Sequence, residues 1–323
     1  MMRHDPRFVT EGPADVAVII VTFDSADDLG TLLGSLRVEA ARNRLRVVVA
    51  DNDSTDDTLR VARKHEDVIV VETGGNLGYA GAINAAVRLA GDVEALLILN
   101  PDLEVLPGCV TALRDRQRTT GAGVVVPGVL DSDDNLTCSL RSEPSLLAAL
   151  GDAAFGERFR WRSKALSETV YAPTMYAYAH PIDWATGAAL LIGMSTAQAV
   201  GAWDERFFLY SEETDYFRRV RDAGYVAWYE PKAVVRHAQG GSGSSPALDQ
   251  LLAVNRIRYA RKHRTAPGAA MYHAVVILHA LVRAGKRRYR GILRTVARES
   301  GWRALPHASG GGPTRTVAAE VSS

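Results

Sequence analysis

Five short and nearly unbroken apolar runs punctuate the first part of the chain. They lie at residues 16–21 (VAVIIV), 46–50 (RVVVA), 68–71 (VIVV), 95–99 (ALLIL) and 123–126 (GVVV). Runs of this kind mark strands covered on both faces, because a half-exposed strand would alternate apolar and polar. Between them lie stretches that predict helices near 26–41, 55–66, 78–90 and 107–119. Ser54 followed by Asp57 matches a capping box for the second helix, and Pro107 suits the first turn of the fourth. Strand–helix alternation of this length predicts an α/β fold with a mostly parallel sheet flanked by helices. After residue 126 the rhythm breaks. Residues 127–180 are irregular and rich in aromatics and Arg. A second structured block follows: an apolar segment at 182–194, helices near 196–202 and 212–223, and strands near 226–229 and 233–236. The sequence GGSGSS at 240–245 reads as a flexible loop. Residues 248–264 and 268–298 read as two basic helices, and the glycine-rich end of the chain as disordered. No internal repeat is present.

Composition narrows the class. With 323 residues, 47% hydrophobic and 23% charged, the chain fits one large globular domain or two small ones. Two cysteines, Cys109 and Cys138, are too few for a disulfide framework and lack zinc-site pairing, so a reducing cytosol is the expected compartment. The first sixteen residues lack the apolar core of a signal peptide. The longest apolar window, 269–282, is interrupted by His273 and His279 and falls short of the ~20 residues a spanning helix needs. The net charge of +1 hides an asymmetry. Residues 1–249 carry 24 Lys and Arg against 35 Asp and Glu, whereas residues 250–303 carry 13 against Glu299 alone. The acidic body argues against nucleic-acid binding, and the basic arm suits an anionic surface.

The residues with chemical potential gather where strands end. In an open parallel sheet, ligands bind beyond the strands' carboxyl ends at the switch in strand order. The first strand ends in Thr22 and Asp24, and the second in Asp51-Asn52-Asp53-Ser54. Taken singly these read as helix caps, but a carboxylate such as Asp51 also accepts the imide N–H of a pyrimidine base. Asn76-Leu77-Gly78 opens a helix without the dinucleotide GxGxxG pattern. Asn100-Pro101-Asp102 ends the fourth strand and offers an amide and one hard carboxylate, suited to Mg²⁺ or Mn²⁺ held together with phosphates; an Asx-Pro turn is the plainer reading. The segment 204–215 (DERFFLYSEETD) is the densest acidic cluster. It reads either as acids at a helix N-terminus or as a tuned general base with orienting neighbours. Asp215 and Arg219 stand four apart and suit a helical ion pair. His237, after a β-branched run, is a structural histidine or a completing metal ligand.

In order, VTFDSADDL, VVVADNDSTDDT, GGNLGYAGAINAA, LLILNPDLEVLPG, DWATGAALLI, WDERFFLYSEETDYFRRVRDAGY and VVRHAQGGS resemble family-2 inverting glycosyltransferases of GT-A fold. Within them the chain is most similar to the bacterial rhamnosyltransferase branch, over about residues 16–245. The resemblance implies a nucleotide-sugar-binding half at 16–126 and an acceptor half at 127–247. Residues 1–15 form an N-terminal extension, 248–303 a basic helical region and 304–323 a tail. It implies that Thr22, Asp24 and Asp51 line the nucleotide, with Asn76 and Gly78 at its edge. It implies Asp102 as the metal-binding acid of an Asp-X-Asp motif whose first acid is here Asn100, with His237 completing the metal or diphosphate contact. Asp183, Trp184 and Gly187 match the seam between donor and acceptor. Glu213 matches the catalytic base, with Glu212 as competitor or orienter.

The implied reaction is metal-dependent transfer with inversion, from dTDP-L-rhamnose or another nucleotide sugar such as UDP-galactose or GDP-mannose. The acceptor is a hydroxyl of a glycan or lipid-linked glycan. Rival readings are a sugar-nucleotide-binding protein that has lost catalysis and, more remotely, a nucleotidyltransferase; the latter would release pyrophosphate. The expected place is the cytoplasm, with residues 268–303 free to lie on an anionic membrane. Ala270, Met271, Ala274, Val275, Leu278, Leu281 and Val282 recur at helical spacing ahead of Lys286, Arg287, Arg288, Arg290 and Arg294. The alternative is that this apolar face packs on the enzyme's own core or on a second copy in a homo-oligomer.

Overall fold

The computed structural model describes residues 7–155, 164–237, 245–309 and 315–317. The first half alternates as the apolar runs predict: β1 (Ala14–Thr22), α1 (Ala26–Ala40), β2 (Leu45–Asp51), α2 (Thr58–Arg63), β3 (Val68–Glu72), α3 (Gly78–Val87) and β4 (Val93–Leu99). Then come β5 (Leu103–Val105), α4 (Cys109–Thr120), β6 (Val124–Leu130), β7 (Leu140–Arg141) and α5 (Leu146–Phe155). The second half holds β8 (His180–Ile182), β9 (Trp184–Ala185), β10 (Ala189–Gly193), α6 (Met194–Val200), α7 (Glu212–Asp222) and β11 (Ala227–His237). Three helices follow, α8 (Pro246–His263), α9 (Ala266–Val282) and α10 (Arg287–Ala297), and then β12 (Arg315–Val317).

One sheet runs through the molecule in the order β12-β3-β2-β1-β4-β10-β6-β11-β5, with β8 beside β11. The strands β1, β2, β3, β4, β6 and β11 share one direction, while β5, β8, β10 and β12 run against it. Both faces are covered, which is why the apolar runs are unbroken. In β1, Ala17, Ile19 and Val21 pack into one core, and Val16, Val18 and Ile20 into the other. β1 lies between β2 and β4, so the order reverses there and opens a crevice at the carboxyl ends of these strands.

Several helix boundaries differ from the sequence expectation because long-range partners replace local caps. α2 begins at Thr58, not at 55, since Ser54 turns back to bond Asp51 instead of capping. Asp56, not Ser25, receives the first backbone N–H of α1, from Ala26 at 3.0 Å. α4 begins at Cys109, beyond Pro107; its N-terminal Gly108 and Val110 amides donate to the buried carboxylate of Glu39 on α1. The stretch 268–298 is two helices, α9 and α10, broken around Gly285. The tail is not structureless throughout: Arg315–Val317 pair antiparallel with β3, and the Ser309 amide donates to the Asn76 carbonyl. The glycine-rich loop at 240–245 lies, apart from Ser245, outside the described residues. Ser245 accepts from the Leu248 amide and caps α8.

Candidate active site

The crevice is built from the strand ends upward. Thr22 and Asp51 are the last residues of β1 and β2 and stand in register. Both are buried, and the Thr22 hydroxyl donates to Asp51 Oδ1 at 3.0 Å. Ser54 adds its hydroxyl and amide to the same carboxylate. The exposed Asp24 accepts from the Thr55 amide at 2.7 Å, tying the two strand-end loops together. Asn52 is a connector that sequence reasoning passed over. Its amide group donates to Asn76 Oδ1 and to the Gly78 carbonyl, while its oxygen accepts from the Leu77 amide. Asn76 thus holds the turn into α3.

Gly78 is required for a reason other than ligand approach. Its φ is +75°, and a Cβ there would sit 2.3 Å from the Phe208 carbonyl oxygen. The next amide, Tyr79 N–H, donates to that same oxygen at 2.7 Å. The start of α3 therefore seats the loop that leads to Glu212 and Glu213.

The fourth strand end supplies another wall of the crevice. The Asn100 amide donates to the Ala188 carbonyl, continuing the β4–β10 register. Asp102 is buried, and its Oδ1 lies 3.0 Å from His237 Nε2. Antiparallel pairing of β11 with β5 sets His237 opposite Leu103, which brings together two residues 135 positions apart. Asp28, on the first turn of α1, feels both: the Asp102 charge raises its carboxyl, burial raises it more, and His237 pulls it down. Among the described residues no group of three or more His, Cys, Asp or Glu forms a metal cage. Asp102 and His237 form a two-donor site of one hard oxygen and one imidazole. Such a pair suits Mg²⁺ or Mn²⁺ when substrate phosphates and water fill the remaining positions.

The acidic side lies at the start of α7. Glu213 is half-buried, and a Cβ on Gly187 would meet its Cβ at 3.6 Å. Burial pushes the Glu213 carboxyl up to about 6, partly offset by backbone hydrogen bonds at the helix start and by the Arg141 charge. Glu212 is fully buried, with one carboxyl oxygen lacking any hydrogen-bond partner. Burial, and after it the neighbouring Glu213 charge, raise its carboxyl well above the usual carboxylate range. Asp215 plays no chemical part: it is fully buried and paired with Arg219, Lys262 and His263 at 2.6–2.8 Å. Asp204 is likewise committed to Arg206 and Lys262.

The loop into α7 is strained and braced. Phe208, Tyr210 and Ser211 have φ values of 60°, 69° and 69°, which non-glycine residues adopt only when surroundings enforce them. Asn255 of α8, fully buried, supplies the enforcement: its amide nitrogen reaches the carbonyls of Phe207, Leu209 and Tyr210 at 2.6–2.9 Å. α8 therefore braces the loop that leads into α7. Tyr79 is partly buried between the two sides; its hydroxyl approaches the Gly187 carbonyl at 3.4 Å and is raised by its surroundings, desolvation first and then the charges of Glu212, Glu213 and Asp102. No sequence signal singles out Asn255, and Tyr79 was visible only as a neighbour of Gly78. Two of the three seam residues are structural. Trp184 is a buried peg whose indole N–H donates to the Ser142 carbonyl, and the Asp183 carboxylate accepts from the Glu143 amide. Gly187 alone touches the acidic side.

A crevice at the carboxyl ends of a mostly parallel sheet, with an acid–imidazole pair on one wall and an accessible carboxylate on the other, defines a glycosyltransferase of GT-A architecture. Residues 17–187 match glycosyl transferase family 2, and the chain belongs to that family. It is 32% identical over 243 residues to N-acetylglucosaminyl-diphospho-decaprenol L-rhamnosyltransferase of Mycobacterium tuberculosis, a match covering 71% of this chain and 78% of that protein. It is 23% identical over 224 residues to the rhamnosyltransferase WbbL of Escherichia coli, covering 67% of this chain and 80% of that one. Among solved structures the fold is similar to the mannosyltransferase PcManGT from Pyrobaculum calidifontis in complex with GDP-Man and Mn²⁺. The TM-score is 0.52 at 19% identity, over 91% of this chain and 77% of that chain. GalNAc-T7 with UDP, GalNAc and Mn²⁺ gives 0.58 at 14% identity, over 90% and 57%. At such identities these two structures bear on fold alone.

Proposed function

We propose that the protein transfers a hexosyl group, L-rhamnose from dTDP-L-rhamnose, to a hydroxyl of a lipid-linked glycan, with inversion at the anomeric carbon. The observation that carries this reading is the opposition of two unlike sites across Tyr79. An acid–imidazole pair for the diphosphate lies at the end of β4, and a half-buried carboxylate raised to about 6 lies at the start of α7. The similarity to a rhamnosyltransferase named for a diphospho-decaprenol acceptor supports the sugar and the lipid carrier.

In this reading Asp51 and Thr22 face the base, Asp24 faces the ribose, and Asn76 lies at the edge of the nucleotide. Asn100 contributes a polar contact, and Asp102 with His237 would hold a divalent cation against the diphosphate. When bound, that cation neutralises the leaving group as a Lewis acid. Glu213 takes the acceptor hydroxyl proton as the oxygen attacks the anomeric carbon from the face opposite the diphosphate. One displacement inverts the centre. Glu212, buried beside Glu213 with one carboxyl oxygen unpartnered, is the weaker candidate for the base. UDP- and GDP-sugars are the competing donors. In this reading the enzyme works at the cytoplasmic face of the cell membrane, where a nucleotide sugar meets a lipid-linked acceptor.

A bound donor stabilises the folded state by mass action, by about 2.7 kcal/mol at a hundredfold excess over Kd. Thermal shift with Mn²⁺ and a panel of dTDP-, UDP- and GDP-sugars is expected to give its largest rise with dTDP-L-rhamnose. A larger rise with a UDP- or GDP-sugar reassigns the donor. No rise with any of them contradicts the transferase reading.

A further inference from the structure

The apolar stripe of α9 does not face the protein. Its inward side consists of Ala269, Tyr272 and Ala280, with Val276 packed against both neighbouring clusters. The residues that recur at helical spacing in the sequence point the other way: Ala270, Met271, Ala274, Leu278, Leu281 and Val282 are all exposed. The expectation that this face packs on the core is met only at its edge, where Val275 packs beside Tyr272; a different face of the same helix provides most of the packing.

α5 repeats the arrangement beside it. Ala149 of α5 packs with Tyr272 of α9, flanked by Leu146 and Val275. Leu147, Leu150 and Phe155 of α5 remain outside. The large side chains of the two adjacent helices, with Met271, Leu278, Leu281 and Val282, are each 41–65% exposed. Single exposed apolar residues are ordinary, but rows of them on neighbouring helices mark a surface meant to be covered.

The margin of this surface is cationic. α10 buries Ile292 and Val296 and turns Arg287, Arg288, Arg290 and Arg294 outward, and Lys286 precedes it. Arg288 pairs with Asp249, while no acid occurs between residues 250 and 298. Apolar rows beside a basic face are the make-up of an element that lies in the headgroup region of a membrane, apolar side down and cations at the phosphates. No described helix is long and apolar enough to cross a bilayer, so this contact is lateral.

We propose that the outer face of α5 and α9, with the basic face of α10 at its edge, docks the enzyme on an anionic lipid bilayer. The location serves the reading of a lipid-linked acceptor, on which this step rests for its purpose but not for its measurement. α8, whose Asn255 braces the loop into α7, packs on α9 and α10 in one apolar cluster, so the docked layer and Glu213 are joined through α8.

The test is flotation of the full-length protein with vesicles of phosphatidylcholine, with and without phosphatidylglycerol. Binding is expected to phosphatidylglycerol vesicles and to weaken in high salt. The Leu278→Glu/Leu281→Glu variant is expected to lose it. Lys286→Glu/Arg287→Glu/Arg294→Glu is expected to weaken it by at least on the order of a hundredfold, since each lost cation is worth roughly fivefold and each new carboxylate adds repulsion. All five positions are exposed, and unchanged melting temperatures would show that the variants fold. No binding by the wild type, equal binding to neutral vesicles, or undiminished binding by both variants would overturn the proposal. So would a dimer that Leu278→Glu/Leu281→Glu converts to monomer in a protein that never floats, because the surface would then belong to a second copy. Donor-induced stabilisation, read in parallel, separates the two claims: a protein that floats but binds no nucleotide sugar keeps the docking surface and loses the transferase reading.

Discussion

Glu213→Gln is expected to lower turnover by at least ~10²-fold, about 3 kcal/mol of barrier, with donor binding nearly unchanged. Gln keeps the shape and the contact with Gly187 but cannot accept the acceptor's proton. The pH profile supplies a second reading of the same residue. Burial raises the Glu213 carboxyl to about 6, so its basic form predominates at pH 7 and is lost as pH falls through that value. Activity should therefore fall about tenfold per pH unit below 6. Glu212→Gln should cost much less, because Glu212 is buried away from the acceptor and burial disfavours its charged, basic form. If Glu212→Gln proved the more damaging of the two, the base would be Glu212.

Asp102→Ala is expected to abolish transfer and to remove the stabilisation that donor and Mn²⁺ give together, while the fold survives. Asp102 is the only acid of the Asn100-Pro101-Asp102 turn, so no neighbouring carboxylate in the motif replaces it. The substitution removes one half of the Asp102–His237 pair and relieves the acid-against-acid pressure on Asp28. Melting in the absence of ligand should change little, since the side chain caps no helix and bonds no core backbone. Full activity in EDTA would remove the metal from this account; full activity of Asp102→Ala would remove the residue.

The parts of this fold legible from sequence are those fixed by apolar periodicity. The runs at 16–21, 46–50, 68–71, 95–99 and 123–126 became β1, β2, β3, β4 and β6, because strands buried on both faces leave no polar positions to confuse the pattern. The residues at their carboxyl ends were legible for the same reason: Thr22, Asp51 and Asp102 sit where runs stop. The approach of His237 to Asp102 was not readable from the residues themselves, since it follows from β11 pairing with β5 across 135 positions. The start of α4 was misplaced because a distant carboxylate, Glu39, caps it, whereas α1 starts where expected even though Asp56 takes its first amide. Asn255 left no trace, for a polar residue inside a basic helix looks like any solvated one until its three carbonyl partners are known. The periodicity of α9 was legible, but not its direction, because helical spacing says which residues share a face and not what the face meets.

The most direct test of the central claim is NMR of one reaction. The mixture contains the protein, dTDP-L-rhamnose, Mg²⁺ and an N-acetylglucosaminyl-diphospho-lipid acceptor, followed through phosphorus and anomeric proton signals. The account predicts release of the nucleoside diphosphate and a new glycoside whose anomeric configuration is opposite to the donor's, neither forming with Glu213→Gln at a comparable rate. Release of pyrophosphate, or a product that retains the donor's configuration, would contradict it.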